Sequence, residues 1–172
     1  MKVVLVGYMA SGKSIISKEL GERFDVEVID LDDYIVKKEN MSIPEIFNKK
    51  GEIYFRTIEN KYLKELLEKK EDFILATGGG TPCYANNMKW IKENATSVYL
   101  KASIPTIADR VIKEKETRPL IKEIKDTDLK EFIAKHLFER SNFYNQADFT
   151  LSVDNKSVNE IVQEIQTKFY SK

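Results

Sequence analysis

The chain is 172 residues long, 42% apolar and 33% charged, which suits one folded domain with a substantial core and excludes low-complexity disorder for its bulk. Its 28 lysines and arginines balance 28 aspartates and glutamates, so a general nucleic-acid or anionic-membrane binder is disfavoured, although a local cationic pocket is compatible with that balance. The single cysteine, Cys83, cannot form an intrachain disulfide, no Cys/His cluster has metal-ligand spacing, and Val3–Val6 is too short for a membrane span or a signal-peptide core, so a soluble cytoplasmic protein is expected.

Short apolar runs alternate with longer amphipathic stretches, the pattern of a parallel sheet with crossover helices. Strands are expected at Lys2–Val6, Val26–Ile29, Phe73–Ala76, Ser97–Leu100 and Phe149–Val153. Helices, some of them broken, are expected at Lys13–Phe24, Asp33–Glu39, Pro44–Lys70, Ala85–Glu93, Pro105–Glu116, Asp126–Tyr144 and Val158–Tyr170. In the third helix, Phe55, Ile58, Tyr62, Leu66 and Leu67 recur at helical spacing and should turn inward to the sheet. No repeat or Pro/Gly/Ser linker divides the chain. Lys113–Pro119 has no apolar side chain; it reads as a solvated helix end unless a site lies beneath it, in which case it reads as a lid.

Gly7-Tyr8-Met9-Ala10-Ser11-Gly12-Lys13-Ser14 matches G-x-x-x-x-G-K-[ST] in full, with an apolar strand before it and an amphipathic stretch after it. Glycines let the backbone wrap close to phosphates, and successive N–H groups with the helix N-terminus supply partial positive charge. Lys13 adds a full charge at the β- and γ-phosphates, and the Ser14 hydroxyl can ligate Mg²⁺. The second strand runs into Asp30-Leu31-Asp32-Asp33 at a carboxyl end, where open α/β sheets bind ligands. If the strand continues that far, alternation sends Asp30 and Asp32 to one side, one for the metal and one for a substrate hydroxyl. The alternative is a simple helix cap, the role expected of Asp33. The base-reading motif N-K-x-D of guanine switches is missing, since Val158 follows Asn155-Lys156-Ser157.

Together, Gly7–Ser14, Asp30-Leu31-Asp32, Phe55-Arg56-Thr57-Ile58-Glu59, Gly78-Gly79-Gly80, Arg118-Pro119-Leu120 and Glu139-Arg140 with Tyr144 resemble the shikimate kinases in order and approximate spacing, over essentially the whole chain. The resemblance implies a three-layer α/β P-loop kinase fold: a five-stranded parallel sheet in the order 2-3-1-4-5, with substrate-binding helices and a lid. It implies a single kinase domain over 1–172, with the substrate-binding region at about 31–62 and the lid at about 112–124. The implied reaction is ATP plus shikimate giving ADP plus shikimate 3-phosphate, with Mg²⁺, in a monomer. By position, Asp32 resembles the residue that binds the reacting hydroxyl and acts as base, and Arg56 with Arg140 the pair that clamps the substrate carboxylate. Gly78, Gly79 and Gly80 resemble the backbone wall of that pocket, Glu59 its supporting partner, and Arg118 the lid arginine at the transferring phosphate. Ala10, Ser11, Gly12, Lys13, Ser14 and Ile15 fall in the nucleotide loop, Ser14 and Asp30 at the metal, and Arg110 and Asn155 beside the adenine.

The residue chemistry is compatible with this. Arginine's planar fork suits bidentate capture of a carboxylate. Three adjacent glycines permit close backbone approach and unusual dihedrals. Without the resemblance, Arg56 would pass for a surface partner of Glu52 or Glu59, and Arg140 for a solvated helix residue. Two departures stand out: Ala10 where glycine is frequent, and Ile15 where threonine is frequent. His136, Cys83 and Trp90 read as structural. The rivals are another acceptor on the same scaffold, such as gluconate or a nucleoside monophosphate, and a nucleotide-binding regulator that performs no transfer.

Overall fold

The computed structural model describes residues 1–113 and 124–170. Arg118, the Arg118-Pro119-Leu120 motif, most of the expected lid and the end of the helix expected at Pro105–Glu116 lie outside the described residues.

Five parallel strands form one sheet, β1 (Lys2–Val6), β2 (Glu27–Asp30), β3 (Phe73–Ala76), β4 (Thr96–Lys101) and β5 (Phe149–Ser152), in the order β2-β3-β1-β4-β5. The helices are α1 (Lys13–Phe24), α2 (Leu31–Glu39), α3 (Ile43–Leu67), α4 (Asn87–Asn94), α5 (Ile104–Lys113), α6 (Asp126–Tyr144) and α7 (Val158–Tyr170). A single 3₁₀ turn at Thr81–Cys83 leads from β3 toward α4. Among the described residues, no helix is long and apolar enough to cross a membrane.

Burial explains the strand sequences. Val3, Val4, Leu5 and Val6 of β1 and all of Phe73–Ala76 are covered on both faces, so these strands carry continuous apolar runs rather than alternation. The edge strands β2 and β5 are only partly covered and alternate more. Phe55, Ile58, Tyr62, Leu66 and Leu67 of α3 are all buried, as their spacing predicts. The order of the sheet reverses at β1, which has β3 on one side and β4 on the other. The crevice beyond its carboxyl end is therefore where this fold binds ligands.

The helix boundaries have local causes. Ser42 and Glu45 make a reciprocal capping box that starts α3, with Pro44 in the first turn. The helix is broken by a kink at Gly51, whose φ of 83° belongs to glycine. The second strand ends at Asp30 instead of continuing to Asp32, because Asp30 caps α2: its carboxylate accepts from the backbone N–H groups of Asp32 (3.0 Å) and Asp33 (3.4 Å). The alternation argument for Asp30 and Asp32 therefore does not hold, and Asp33 is not the cap. Both acids reach the same side by a different route, one from the strand end and the other from the first helical turn.

Candidate active site

Residues from five segments line one cleft of about 750 Å³: the loop after β1, the β2–α2 junction, α3, the glycines after β3, and Arg140 on α6. Arg110, Lys156, Val158 and Ile161 extend it at one end.

The loop between β1 and α1 is built from left-handed backbone. Gly7 has φ 150° and Gly12 has φ 98°, and a Cβ at Gly7 would stand 2.8 Å from the Leu100 carbonyl. Gly12 is the N-cap of α1 without a side-chain cap, so the first N–H groups of the helix face the loop interior. Lys13 Nζ sits inside the loop, donating to the carbonyls of Gly7 and Tyr8 at 2.8 Å each. Ala10 takes φ 59°, a strained conformation for an L-residue, which gives physical meaning to the departure from glycine there. Its carbonyl accepts from Arg110 Nη1 at 2.9 Å, which fixes Arg110 against the loop. Ile15 is 63% exposed beside the same cleft. Asn155 itself is not among the lining residues; its neighbour Lys156 is.

Ser14 Oγ donates to Asp30 Oδ2 at 3.2 Å, bringing one hydroxyl and one carboxylate together at the mouth of the loop. No cluster of three or more His, Cys, Asp or Glu side chains suited to a metal occurs among the described residues. Two oxygen donors beside a phosphate-binding loop nonetheless fit Mg²⁺, which keeps most of its waters and borrows ligands from phosphates.

The glycine triad explains the acceptor side. None of Gly78, Gly79 and Gly80 has positive φ, so the expected unusual dihedrals are not the reason for them. Space is the reason: Gly78 and Gly80 face candidate site side chains closely, and Gly79 faces the backbone of the phosphate loop. A Cβ at Gly78 would stand 3.3 Å from Asp32 Oδ1 and 3.3 Å from Glu59 Oε1. One at Gly79 would stand 3.3 Å from the Met9 backbone nitrogen, with Arg140 Nη1 in ordinary contact at 3.6 Å, and one at Gly80 only 2.6 Å from Arg56 Nη2. The wall is thus a strip of bare backbone against which Asp32, Arg140 and Arg56 all close.

Arg56 is not a surface partner. Its Nη1 bonds Glu59 Oε2 at 2.8 Å, and Glu59 is only 1% exposed. The other Glu59 oxygen accepts from Thr81 Oγ1 at 2.6 Å, and Asn87 Nδ2 donates to the Thr81 carbonyl at 2.8 Å. Thr81 and Asn87, both fully buried, were not singled out from sequence; the position of Thr81 directly after the glycines was the available signal. Arg140 differs from Arg56. Among the described residues no carboxylate pairs with it, so its charge is open to an anion from the cleft. Tyr144 Oη, one turn further along α6, donates to the Gly79 carbonyl at 2.5 Å and holds the wall in place. Burial, with Asp30 and Glu59 nearby, pushes the Asp32 carboxyl up to about 6, against the opposing charge of Lys13. A carboxylate so destabilised is a competent proton acceptor near neutral pH.

Cys83 and His136 carry no catalytic geometry. Burial pushes the Cys83 thiol up to about 11, which keeps it protonated and inert. His136 hydrogen-bonds Tyr8. Trp90 lies half-buried against the core under the ammonium of Lys64.

A sheet of this order, with a complete phosphate loop at its switch point, defines a P-loop kinase. The shikimate kinase family profile matches residues 9–170. The shikimate kinase of Flavobacterium johnsoniae is 48% identical over 165 residues, covering 95% of this chain and 96% of that one. The crystal structure of shikimate kinase from Bacteroides thetaiotaomicron superposes with a TM-score of 0.92 at 30% identity, covering 99% of this chain and 98% of that chain. That of shikimate kinase from Acinetobacter baumannii in complex with shikimate gives 0.89 at 30% identity, covering 99% and 93%. The chain belongs to the shikimate kinase family.

Proposed function

We propose that this chain transfers the γ-phosphoryl group of ATP to the 3-hydroxyl of shikimate, giving shikimate 3-phosphate and ADP for aromatic amino-acid biosynthesis. The observation that carries the reading is the glycine strip, on which Asp32, Arg140 and Arg56 converge in the same cleft as the Lys13 loop. The Acinetobacter baumannii relative is a complex with shikimate, which supports the same acceptor here.

In this reading the loop amides from Ala10 to Ile15 and Lys13 hold the phosphates, and Arg110, with the segment around Asn155, flanks the base. Mg²⁺, held by Ser14 and Asp30, would supply charge neutralisation between the phosphates. Asp32 orients the acceptor hydroxyl and takes its proton at Oδ1 or Oδ2. Arg56 and Arg140 fix the acid end of the acceptor, and Gly78 to Gly80 bound its ring. Arg118 is assigned to the transferring phosphate by the resemblance alone. Most of the acceleration comes from positioning and electrostatics rather than covalent chemistry. All these groups come from one chain, and the reading takes 1–172 as one kinase domain, acting as a cytoplasmic monomer without nucleic-acid or membrane partners.

The test is ADP release from Mg-ATP with shikimate, gluconate or AMP as acceptor. Turnover on shikimate alone is expected. Tight nucleotide binding without shikimate-dependent ADP release would overturn the acceptor assignment.

A further inference from the structure

Four side chains recur every fourth residue along α6, placing them on one face: Phe132, His136, Arg140 and Tyr144. Tyr8, from inside the phosphate loop, docks against this stripe. Tyr8 is 1% exposed, yet nothing in the transfer uses its side chain. Its ring lies beneath Arg140, with the guanidinium carbon 5.6 Å from the ring centroid. Its hydroxyl is 3.1 Å from His136 Nδ1, and the two rings meet edge-on. Phe132 braces His136 from the next turn, with centroids 4.2 Å apart. The carbonyl of the same Tyr8 accepts from Lys13.

The direction of the Tyr8–His136 bond follows from the charges around it. Burial pushes the Tyr8 phenol up to about 12, so it keeps its proton. Burial, then the nearby charge of Arg140, lowers the His136 value, while Glu139 opposes and Lys135 adds to the lowering. In the arrangement that leaves the proton on the phenol, the Tyr8 O–H donates a hydrogen bond to Nδ1 of a neutral imidazole. This matters because, among the described residues, no carboxylate holds the guanidinium of Arg140 as Glu59 holds that of Arg56. A long side chain without an ion-pair partner samples many rotamers unless a flat face restricts it.

We infer that Tyr8 and His136 are positioning residues for the acceptor's acid group: His136 fixes the Tyr8 ring, and the ring fixes Arg140. The inference rests on the reading of Arg140 as an acceptor-binding side chain. The same residue, Tyr8, meets Lys13 through its backbone carbonyl alone, so substitutions of its ring leave that contact available.

The experiment measures KM for shikimate, KM for ATP and kcat for Tyr8→Leu, Tyr8→Phe and His136→Ala, each alone and with Arg140→Ala. Shikimate calorimetry replaces KM where turnover is too low. Loss of the ring in Tyr8→Leu raises KM for shikimate by about 5- to 20-fold. Loss of the hydrogen bond alone, in Tyr8→Phe or His136→Ala, raises it by about 2- to 5-fold. KM for ATP and kcat stay within about twofold, since the interaction lost is one made with the bound acceptor throughout. In the Arg140→Ala background these changes disappear, because the residues act through Arg140. Equal movement of both KM values, or the same fold-change without Arg140, overturns the inference and returns Tyr8 to a packing role. If Tyr8→Leu does not fold, Tyr8→Phe and His136→Ala carry the same test. No shikimate turnover by the unsubstituted protein would overturn the proposed function itself, and the inference with it, before any substitution is compared.

Discussion

Arg56→Ala removes two things at once, the proposed acceptor contact and the ion-pair partner of a buried carboxylate, and the two can be separated. Glu59 is 1% exposed and would keep only the Thr81 hydroxyl bond at 2.6 Å. Removing one partner of a fully buried ion pair costs about 3–5 kcal/mol. The Arg56 side chain is 19% exposed, so water can enter the vacated space, which lowers the expectation to about 2–3 kcal/mol. At about 2–4 °C per kcal/mol for a chain of this size, the melting temperature falls by about 4–12 °C. Adding Glu59→Gln removes the stranded charge while its amide oxygen can still accept from Thr81, and restores about 1–2 kcal/mol. It does not restore the KM for shikimate, because the arginine is still missing. Ligand-free thermal or urea unfolding of the single and double variants, run beside their kinetics, separates the effects. A stability loss below about 1 kcal/mol for Arg56→Ala, or a further loss on adding Glu59→Gln, would refute the claim that the buried Glu59 needs Arg56 as its ion-pair partner.

Asp32→Asn should abolish most turnover while stabilising the metal-free, nucleotide-free protein. The folded carboxyl is raised from 3.8 to about 6, which at about 1.4 kcal/mol per pH unit sets a ceiling of about 3 kcal/mol. Between those values the folded state binds the proton more tightly than the unfolded state, so the unsubstituted protein loses stability as pH rises. The advantage of Asp32→Asn therefore opens from about pH 4 to about pH 6, then stays flat at about 1–3 kcal/mol; unfolding in EDTA across this range checks it, and a pH-independent gap contradicts it. Ala10→Gly relieves the left-handed strain at φ 59°, and should add about 0.5–1 kcal/mol of stability with KM for ATP within about twofold. A drop in melting temperature would show that the loop tolerates this alanine without strain.

The fold was legible because its information is local and repeated. The central strands announce themselves as short, uninterrupted apolar runs, since they are covered on both faces, and β1 and β3 begin and end where that pattern does. The second strand, expected at Val26–Ile29 and found at Glu27–Asp30, has an end that the pattern leaves open for an equally physical reason. Asp30 belongs to the strand by its backbone and to α2 by its side chain, which caps the helix, and periodicity alone cannot reveal where a cap interrupts it. The Gly51 kink was hidden in the same way, since one glycine in an otherwise helical pattern looks tolerable until its φ of 83° is known.

The candidate site divides along a similar line. The phosphate loop is readable because every requirement of the motif concerns its own backbone. The acceptor side is not, because what distinguishes Arg56 from a surface residue is the burial of Glu59, and that depends on residues far along the chain. An i,i+3 pair looks identical in sequence whether its carboxylate is solvated or, as here, 1% exposed and shared with Thr81. The glycine triad does line the cleft, but not for its dihedrals. With no positive φ among Gly78, Gly79 and Gly80, a substitution there would crowd Thr81, Asp32 and Glu59 at Gly78, the Met9 backbone at Gly79 and Arg56 at Gly80, rather than strain its own backbone. At Gly80 the cost would fall first on Arg56, because a guanidinium can swing away from a new Cβ more easily than the backbone after β3 can move. At Gly80, where the Cβ would stand 2.6 Å from Arg56 Nη2, relief comes at the expense of the Arg56–Glu59 pair, so the wall, the arginine and the buried carboxylate form a single mechanical unit.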